Sequence, residues 1–274
     1  MKIALSHPFI HPRVSVNSSF IGDMTLDDDC DWARSIGARW IGVSPVKLDK
    51  IGWQRGIEII RQSQLRVSTV VSNVMFRLDD PSSWPEQHEI GLRTIDAAVS
   101  MRARCIYGVT GPLGRLTFEE GAEAYRRAMG PLLDHCRTVG MRWALETLNP
   151  VYISFNLAGG LADAMDVADL AGVDLCLDVS GFFAESRLAE KLEAVGPRAA
   201  LVQVSDTVYG EIGRCVPGDG DIPLERLLGW ILDAGYDGPF DIELNGRRID
   251  NEGQRPATLR AARVLTEILD RLGA

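Results

Sequence analysis

Four residues stand out by type and by place. Each lies at or near the end of a short apolar or β-branched run: Glu146 closes RWALE, Asp178 closes LCLD, Gln203 lies in LVQVSD just ahead of Asp206, and Glu243 closes FDIE. If these runs are β-strands, three carboxylates and one amide reach the strand ends at matched depth. One buried carboxylate at a strand end is commonly half of an ion pair. Four oxygen-bearing side chains are harder to place, because an unpaired buried carboxylate is strongly penalised and a bound cation is the simplest neutraliser. An oxygen-only set suits Mn²⁺ or Mg²⁺ best, with Co²⁺ or Zn²⁺ as the softer candidates.

Those four runs belong to a longer series. Candidate strands are Lys2–Ser6, Trp40–Val43, Val67–Val71, Cys105–Tyr107, Arg142–Glu146, Leu175–Asp178, Ala200–Val204 and Phe240–Glu243. Several are almost wholly apolar, as parallel strands covered on both faces should be. Amphipathic stretches with recognisable ends separate them. Thr25-Leu-Asp-Asp and Thr117-Phe-Glu-Glu open two helices, and Gly37, Gly140, Gly172 and Gly235 stand at helix-to-strand junctions. Strict alternation of strands and helices predicts an α/β fold, a (β/α)₈ TIM barrel, over a single domain spanning 1–274. A doubly wound open sheet is the competing arrangement. It would usually carry a Gly-rich phosphate turn after its first strand, where this chain has SHPFIHPR. In a barrel the strand ends form one mouth, so the four residues would meet there.

Composition narrows the class. The chain has 274 residues, 46% of them hydrophobic and 24% charged, enough apolar material for a large core. No apolar run has the roughly 18 residues that a membrane helix needs, and the N-terminus MKIALSHPF reads as a strand rather than a signal peptide. Net charge is −9 and blocks of Lys or Arg are absent, which speaks against a nucleic-acid partner. Five scattered cysteines without a C-x-x-C pair suggest reduced thiols and a cytoplasmic setting.

The chain resembles the xylose isomerase-like barrels grouped as sugar phosphate isomerases/epimerases. That group includes tagatose 3-epimerase, hydroxypyruvate isomerase, inosose dehydratase, 3-dehydroshikimate dehydratase and endonuclease IV. The resemblance covers nearly the whole chain. It rests on the order and spacing of Ala144-Leu-Glu-Thr-Leu-Asn-Pro, Cys176-Leu-Asp-Val, Val202-Gln-Val-Ser-Asp, Val216-Pro-Gly-Asp-Gly-Asp-Ile and Asp241-Ile-Glu-Leu. It implies a divalent metal held by Glu146, Asp178 and Glu243, with Gln203 where the group commonly has His. A second departure is Gly181, where many members carry a His that touches substrate or a second metal. The implied chemistry is proton abstraction beside a carbonyl, with the resulting enediolate stabilised by the metal and Glu146 and Glu243 as the acid/base pair. Isomerisation, epimerisation and dehydration share that intermediate. The leading reading is therefore an isomerase or epimerase of a keto sugar or polyol. The alternative is a lyase, either a dehydratase or an enzyme that β-eliminates a 3-keto glycoside.

Further candidates surround this set. His7, at the end of the first expected strand, Asn73, Asn149, Arg214 and Asp206 are candidate substrate contacts, each weighed against an ordinary role in capping or at a polar rim. His11 is a weaker candidate for the mouth. Arg247 and Arg248 follow Glu243 and would meet an anionic substituent or simply solvent. Trp53, Phe76, Tyr107 and Phe182 would stack on a sugar or pack barrel against helix. His88 and His135 fall within expected helices. A non-catalytic ligand-binding barrel and an abasic-site nuclease are the readings from other classes. The nuclease would require more His ligands and a basic face. A homo-oligomer is compatible with all of these.

Overall fold

Eight short parallel strands pair in chain order and close into a barrel, the last hydrogen-bonded to the first. The computed structural model describes residues 10–20 and 24–274. The strands are β1 Val14–Asn17, β2 Trp40–Val43, β3 Arg66–Val71, β4 Cys105–Gly108, β5 Trp143–Glu146, β6 Asp174–Asp178, β7 Ala199–Val204 and β8 Phe240–Ile242. The connecting helices are α1 Leu26–Ser35, α2 Pro45–Ile51, α3 Trp53–Ser63, α4 Trp84–Met101, α5 Phe118–Val139, α6 Leu161–Ala171, α7 Val179–Phe182, α8 Leu188–Val195, α9 Leu224–Asp233, α10 Arg247–Glu252 and α11 Gln254–Leu272. No described helix is long and apolar enough to cross a membrane.

Local chemistry sets the helix ends. The Thr25 hydroxyl accepts from the Asp28 N–H at 3.2 Å while the Asp28 carboxylate accepts from the Thr25 N–H, a reciprocal capping box. Thr117 and Glu120 repeat it at the start of α5, at 3.3 and 2.9 Å. Both helices start where the sequence places their opening signals, and the capping boxes form there. Gly140 and Gly172 end α5 and α6 in the left-handed conformation.

Two cores result. A large one fills the layer between strands and helices, with Val14, Ile41, Val70, Ile106, Leu145, Leu175, Val202 and Phe240 on its strand side. A small one lies inside the barrel: Cys105, Tyr107, Ala144, Cys176, Ala200 and Leu201. Strand period two separates them, so residues two apart share a face. Counting up from Ala144 and Cys176 therefore brings Glu146 and Asp178 to the mouth on the inner face. Register completes the ring, with Glu146 beside Cys176, Asp178 beside Gln203, and Gln203 beside Asp241.

The first strand differs from expectation. Lys2–Ser6 lies outside the described residues, and the strand that closes the barrel is Val14–Asn17. The apolar run IAL carries the expected first strand, whereas alternate residues of VSVN are polar. Those polar residues face inward: the Ser15 hydroxyl and Asn17 amide donate to the Asp241 carboxylate at 2.6 and 2.7 Å. This shift also moves His11 to the N-terminal end of β1, away from the mouth. There its ring nitrogen bonds the Ala274 carbonyl at 2.9 Å. His7 lies outside the described residues.

Each capping Thr satisfies a backbone donor that water would otherwise have to serve. Thr25→Ala and Thr117→Ala should each cost about 1 kcal/mol, read as a drop of about 2–4 °C in the thermal midpoint. An unchanged midpoint in both would show that these helix ends add nothing to stability.

Candidate active site at the barrel mouth

Glu146 ends β5, Asp178 ends β6, Gln203 lies one residue before the end of β7, and Glu243 follows β8 directly. All four are buried, and Arg214 joins them from the loop after β7, itself only 7% exposed. The Arg214 guanidinium forks between two carboxylates. One Nη donates to Glu243, and the other reaches Asp178 at 2.5 Å. Glu243 also accepts from the Gln203 amide and, across the barrel, from the Tyr107 hydroxyl at 3.3 Å. Asp178 accepts from the Ser180 N–H at 3.0 Å and its hydroxyl at 2.8 Å. Glu146 differs: the residue is 6% exposed, and its carboxylate has no hydrogen bond or ion pair among the described residues.

The charges are strongly unbalanced. Burial, reinforced by Glu243 and Asp178, pushes the Glu146 carboxyl well above the usual carboxylate range, against a smaller pull from Arg214. Burial also raises Glu243, opposed chiefly by Arg214. For Arg214 burial works against the charge, but Asp178, Glu243 and Glu146 outweigh it and keep the guanidinium protonated. Three ionised carboxylates against one guanidinium would leave two negative charges uncompensated among largely buried residues. That deficit, and the unpartnered Glu146 carboxylate, fit a divalent cation. Among the described residues no three His, Cys, Asp or Glu side chains stand at metal-ligand spacing, and Arg214 stands between Asp178 and Glu243. Gln203 turns its amide nitrogen to Glu243, while its oxygen accepts from the Cys176 thiol at 2.9 Å. In this arrangement it orients Glu243, where the sequence reading expects an oxygen ligand.

The remaining candidates divide. Asp206 is buried, and its two carboxylate oxygens accept from the N–H groups of Thr207, Gly218, Gly220 and Ile222 at 2.9–3.2 Å. Together with the Asp206–Cys215 backbone pairing, this makes Asp206 the anchor of the loop that presents Arg214, in place of the expected substrate contact. Asn149 is exposed, caps Val151 at 3.1 Å, and lines a cavity of about 280 Å³ shared with Tyr152, Ser180, Thr207 and Arg214. Asn73 is exposed just past β3, with no hydrogen bond to its side chain among the described residues. Arg248 is held bidentately by Glu211 at 2.8 and 2.7 Å, while Arg247 is exposed beside a cavity that Arg214 also lines. Phe76 and Phe182 are core residues. His88 and His135 bond the Ala128 carbonyl and Asp96 among the helices.

Sequence reading gave Tyr107 a default role in packing and gave Cys176 no role at the site. Both could have been found by counting back in twos from the mouth residues of adjacent strands. The departure at Gly181 also has a physical cause. A Cβ there would meet the Thr147 carbonyl oxygen at 2.5 Å, so the β5 loop lies directly on this glycine.

The model of the xylose isomerase-like TIM barrel family matches residues 30–268. No curated protein matches. Among solved structures, protein SMc04130 from Sinorhizobium meliloti 1021 superposes with a TM-score of 0.84 at 22% identity, covering 95% of this chain and 98% of its own. The IolI protein with a bound zinc atom gives 0.82 at 17% identity, over 95% and 99% of the two chains. D-allulose 3-epimerase from Methylomonas sp. in complex with D-allulose gives 0.73 at 16%, over 94% and 98%. At these identities the likeness establishes the fold.

Replacing Arg214 by Met would leave Asp178 and Glu243 buried without their counter-charge, a loss of about 3–5 kcal/mol in comparable ion pairs. Added Mn²⁺ should then raise the melting temperature of Arg214→Met more than that of the parent. Equal responses to Mn²⁺ would mean that Arg214 and the cation do not compete for these carboxylates.

Proposed function

The chain belongs to the xylose isomerase-like TIM barrel family, and on that premise we propose that it is a divalent-metal-dependent isomerase or epimerase of a keto sugar or related polyol. The observation that carries this reading is the Glu146 carboxylate, buried and unpartnered beside a cluster short of positive charge. Glu146, Asp178 and Glu243 would hold the metal, with Gln203 either supplying a fourth oxygen or orienting Glu243. Mn²⁺ or Mg²⁺ suits such donors, and the zinc of the IolI structure keeps Zn²⁺ in consideration. When bound, the cation would act as a Lewis acid on the substrate carbonyl.

The chain's own residues divide the remaining work. Glu146 has no competing donor, so its oxygens are free to take a proton from the carbon beside the carbonyl and to return it. Burial and the neighbouring carboxylates raise its proton affinity, the direction that suits a group taking up and returning a proton. Glu243 is fixed by three donors, Arg214, Gln203 and Tyr107. It is the second acid/base group, held for transfer on the opposite face of the substrate. Arg214, itself largely buried, stabilises negative charge that develops on a substrate oxygen. Asn149, Ser180 and Thr207 line the adjoining cavity and supply polar contacts for hydroxyl groups. A neighbour of the same fold is in complex with D-allulose, which supports a sugar-sized ligand for this chain.

A panel of keto sugars incubated in D₂O with Mn²⁺-loaded protein should show solvent deuterium at the carbon next to the carbonyl, with product of unchanged heavy-atom composition. Loss of water or of a glycosidic substituent would instead select the lyase reading. Glu146→Gln and Glu243→Gln should each slow exchange by about 10²–10⁴-fold. Elemental analysis should find about one divalent ion per chain, absent from Asp178→Ala. If the parent takes up no ion even after Mn²⁺ is added, the proposal fails and a ligand-binding barrel becomes the better account.

A further inference from the structure

The opposite end of the barrel carries a second feature that the chemistry at the mouth does not use. A cavity of about 700 Å³ opens there between the C-terminal ends of α3 and α4 and the starts of β2, β3 and β4. Four arginines line it, Arg61, Arg66, Arg102 and Arg104, and no carboxylate does. This is unusual in a chain of net charge −9. Arg104 is the only one of the four in an ion pair among the described residues, with Asp237, and its Nε is buried without an acceptor. Arg61 spends its Nε on the Ser100 carbonyl, and Arg66 lies flat over the Trp40 ring at 3.8 Å. An adjacent cavity at the same end, under β5 and β6, provides a contrast. Its arginines Arg137, Arg142 and Arg198 are each paired with an aspartate.

Backbone conformation adds an independent sign. α5, α6 and α11 end in left-handed glycines, Gly140, Gly172 and Gly273. α3 and α4, the two helices that flank the cavity, end in left-handed Gln64 and Arg102 instead. A side chain in that conformation costs about 1 kcal/mol or more relative to glycine, so the chain keeps two polar side chains at the cavity rim at an energetic cost. The helix dipole accounts for a cation in a last helical turn. It does not account for Arg66 and Arg104, which stand at strand starts.

We propose that this cavity binds a small organic polyphosphate. Guanidinium groups without carboxylate partners match phosphate oxygens in charge and fork geometry. Leu65, Met101 and the Trp40–Arg66 stack offer apolar and planar surface for the organic part, in a volume suited to a small molecule. The site is far from Arg214 and the carboxylates, so it is independent of the function proposed above.

Calorimetric titration of the purified full chain with MgATP and with magnesium pyrophosphate, at fixed ionic strength and in excess Mg²⁺, tests this. The expected result is saturable binding of MgATP, about one per chain, with a Kd below about 1 mM. Arg66→Ala and Arg102→Gly should each weaken it by about tenfold or more, or about 1.4 kcal/mol. Arg102→Gly keeps the left-handed helix end, so its melting temperature should hold or rise while affinity falls. Pyrophosphate binding more weakly than MgATP, with the same sensitivity to both variants, would assign part of the affinity to the apolar floor. Absence of saturable binding by both probes, or affinity unchanged in both variants, overturns the proposal. So does a response matched by sodium sulfate, and so does competition by a single-stranded oligonucleotide that outcompetes MgATP.

Discussion

At the mouth, Glu146, Asp178 and Glu243 are buried side by side, and among the described residues Arg214 is the cation that pairs with them. Carboxylates packed this way repel one another and lose hydration together, so the arrangement persists only if other parts of the fold hold it. Much of the surrounding structure serves that need. The Arg214 backbone N–H donates to the Asn245 carbonyl just past β8. The same loop is tied by the Asp206–Cys215 pairing and by the four N–H groups that Asp206 accepts. Asp206 therefore acts on the site through Arg214.

The barrel interior beneath the mouth is built around the same constraint. Asp241 sits two residues below Glu243 on the inner face and is fully buried, with burial raising its carboxyl to about 7. Ser15, Asn17 and Ser68 donate to it and pull the other way. This polar layer explains why β1 alternates valine with serine and asparagine. It also links the strand that closes the barrel to the strand that delivers Glu243. Tyr107 spans the interior to the same carboxylate, so positioning at the mouth is shared by strands on opposite sides of the barrel.

The two ends of the barrel solve opposite electrostatic problems. Negative charge accumulates at the mouth and is partly offset by one buried arginine. At the other end four arginines line one cavity with no carboxylate among them. Barrel architecture separates the ends by the length of the strands, so the two opposite charge clusters stand apart. Within the xylose isomerase-like family this leaves the chemistry at the mouth and the arginine-lined cavity as independent matters.

The amino-acid sequence alone determined the alternation of strands and helices, seven of the eight strands to within one residue at each end, the helix starts at Thr25 and Thr117, and the arrival of Glu146, Asp178, Gln203 and Glu243 at one rim. Those features follow from local rules: period two in strands, backbone donors at helix starts, and apolar runs where both faces are covered. Tertiary structure decided the rest, because each remaining feature depends on residues far apart in the chain. VSVN became the closing strand because Asp241, more than two hundred residues away, satisfies its inward polar groups. Arg214 entered the carboxylate cluster, and Asp206 turned to backbone N–H groups, because a long loop folds back over the mouth. Gly181 lies where the β5 loop leaves no room for a side chain. Which end of the Gln203 amide faces the site depends on Glu243 and Cys176, partners from two other strands that only barrel closure brings to it.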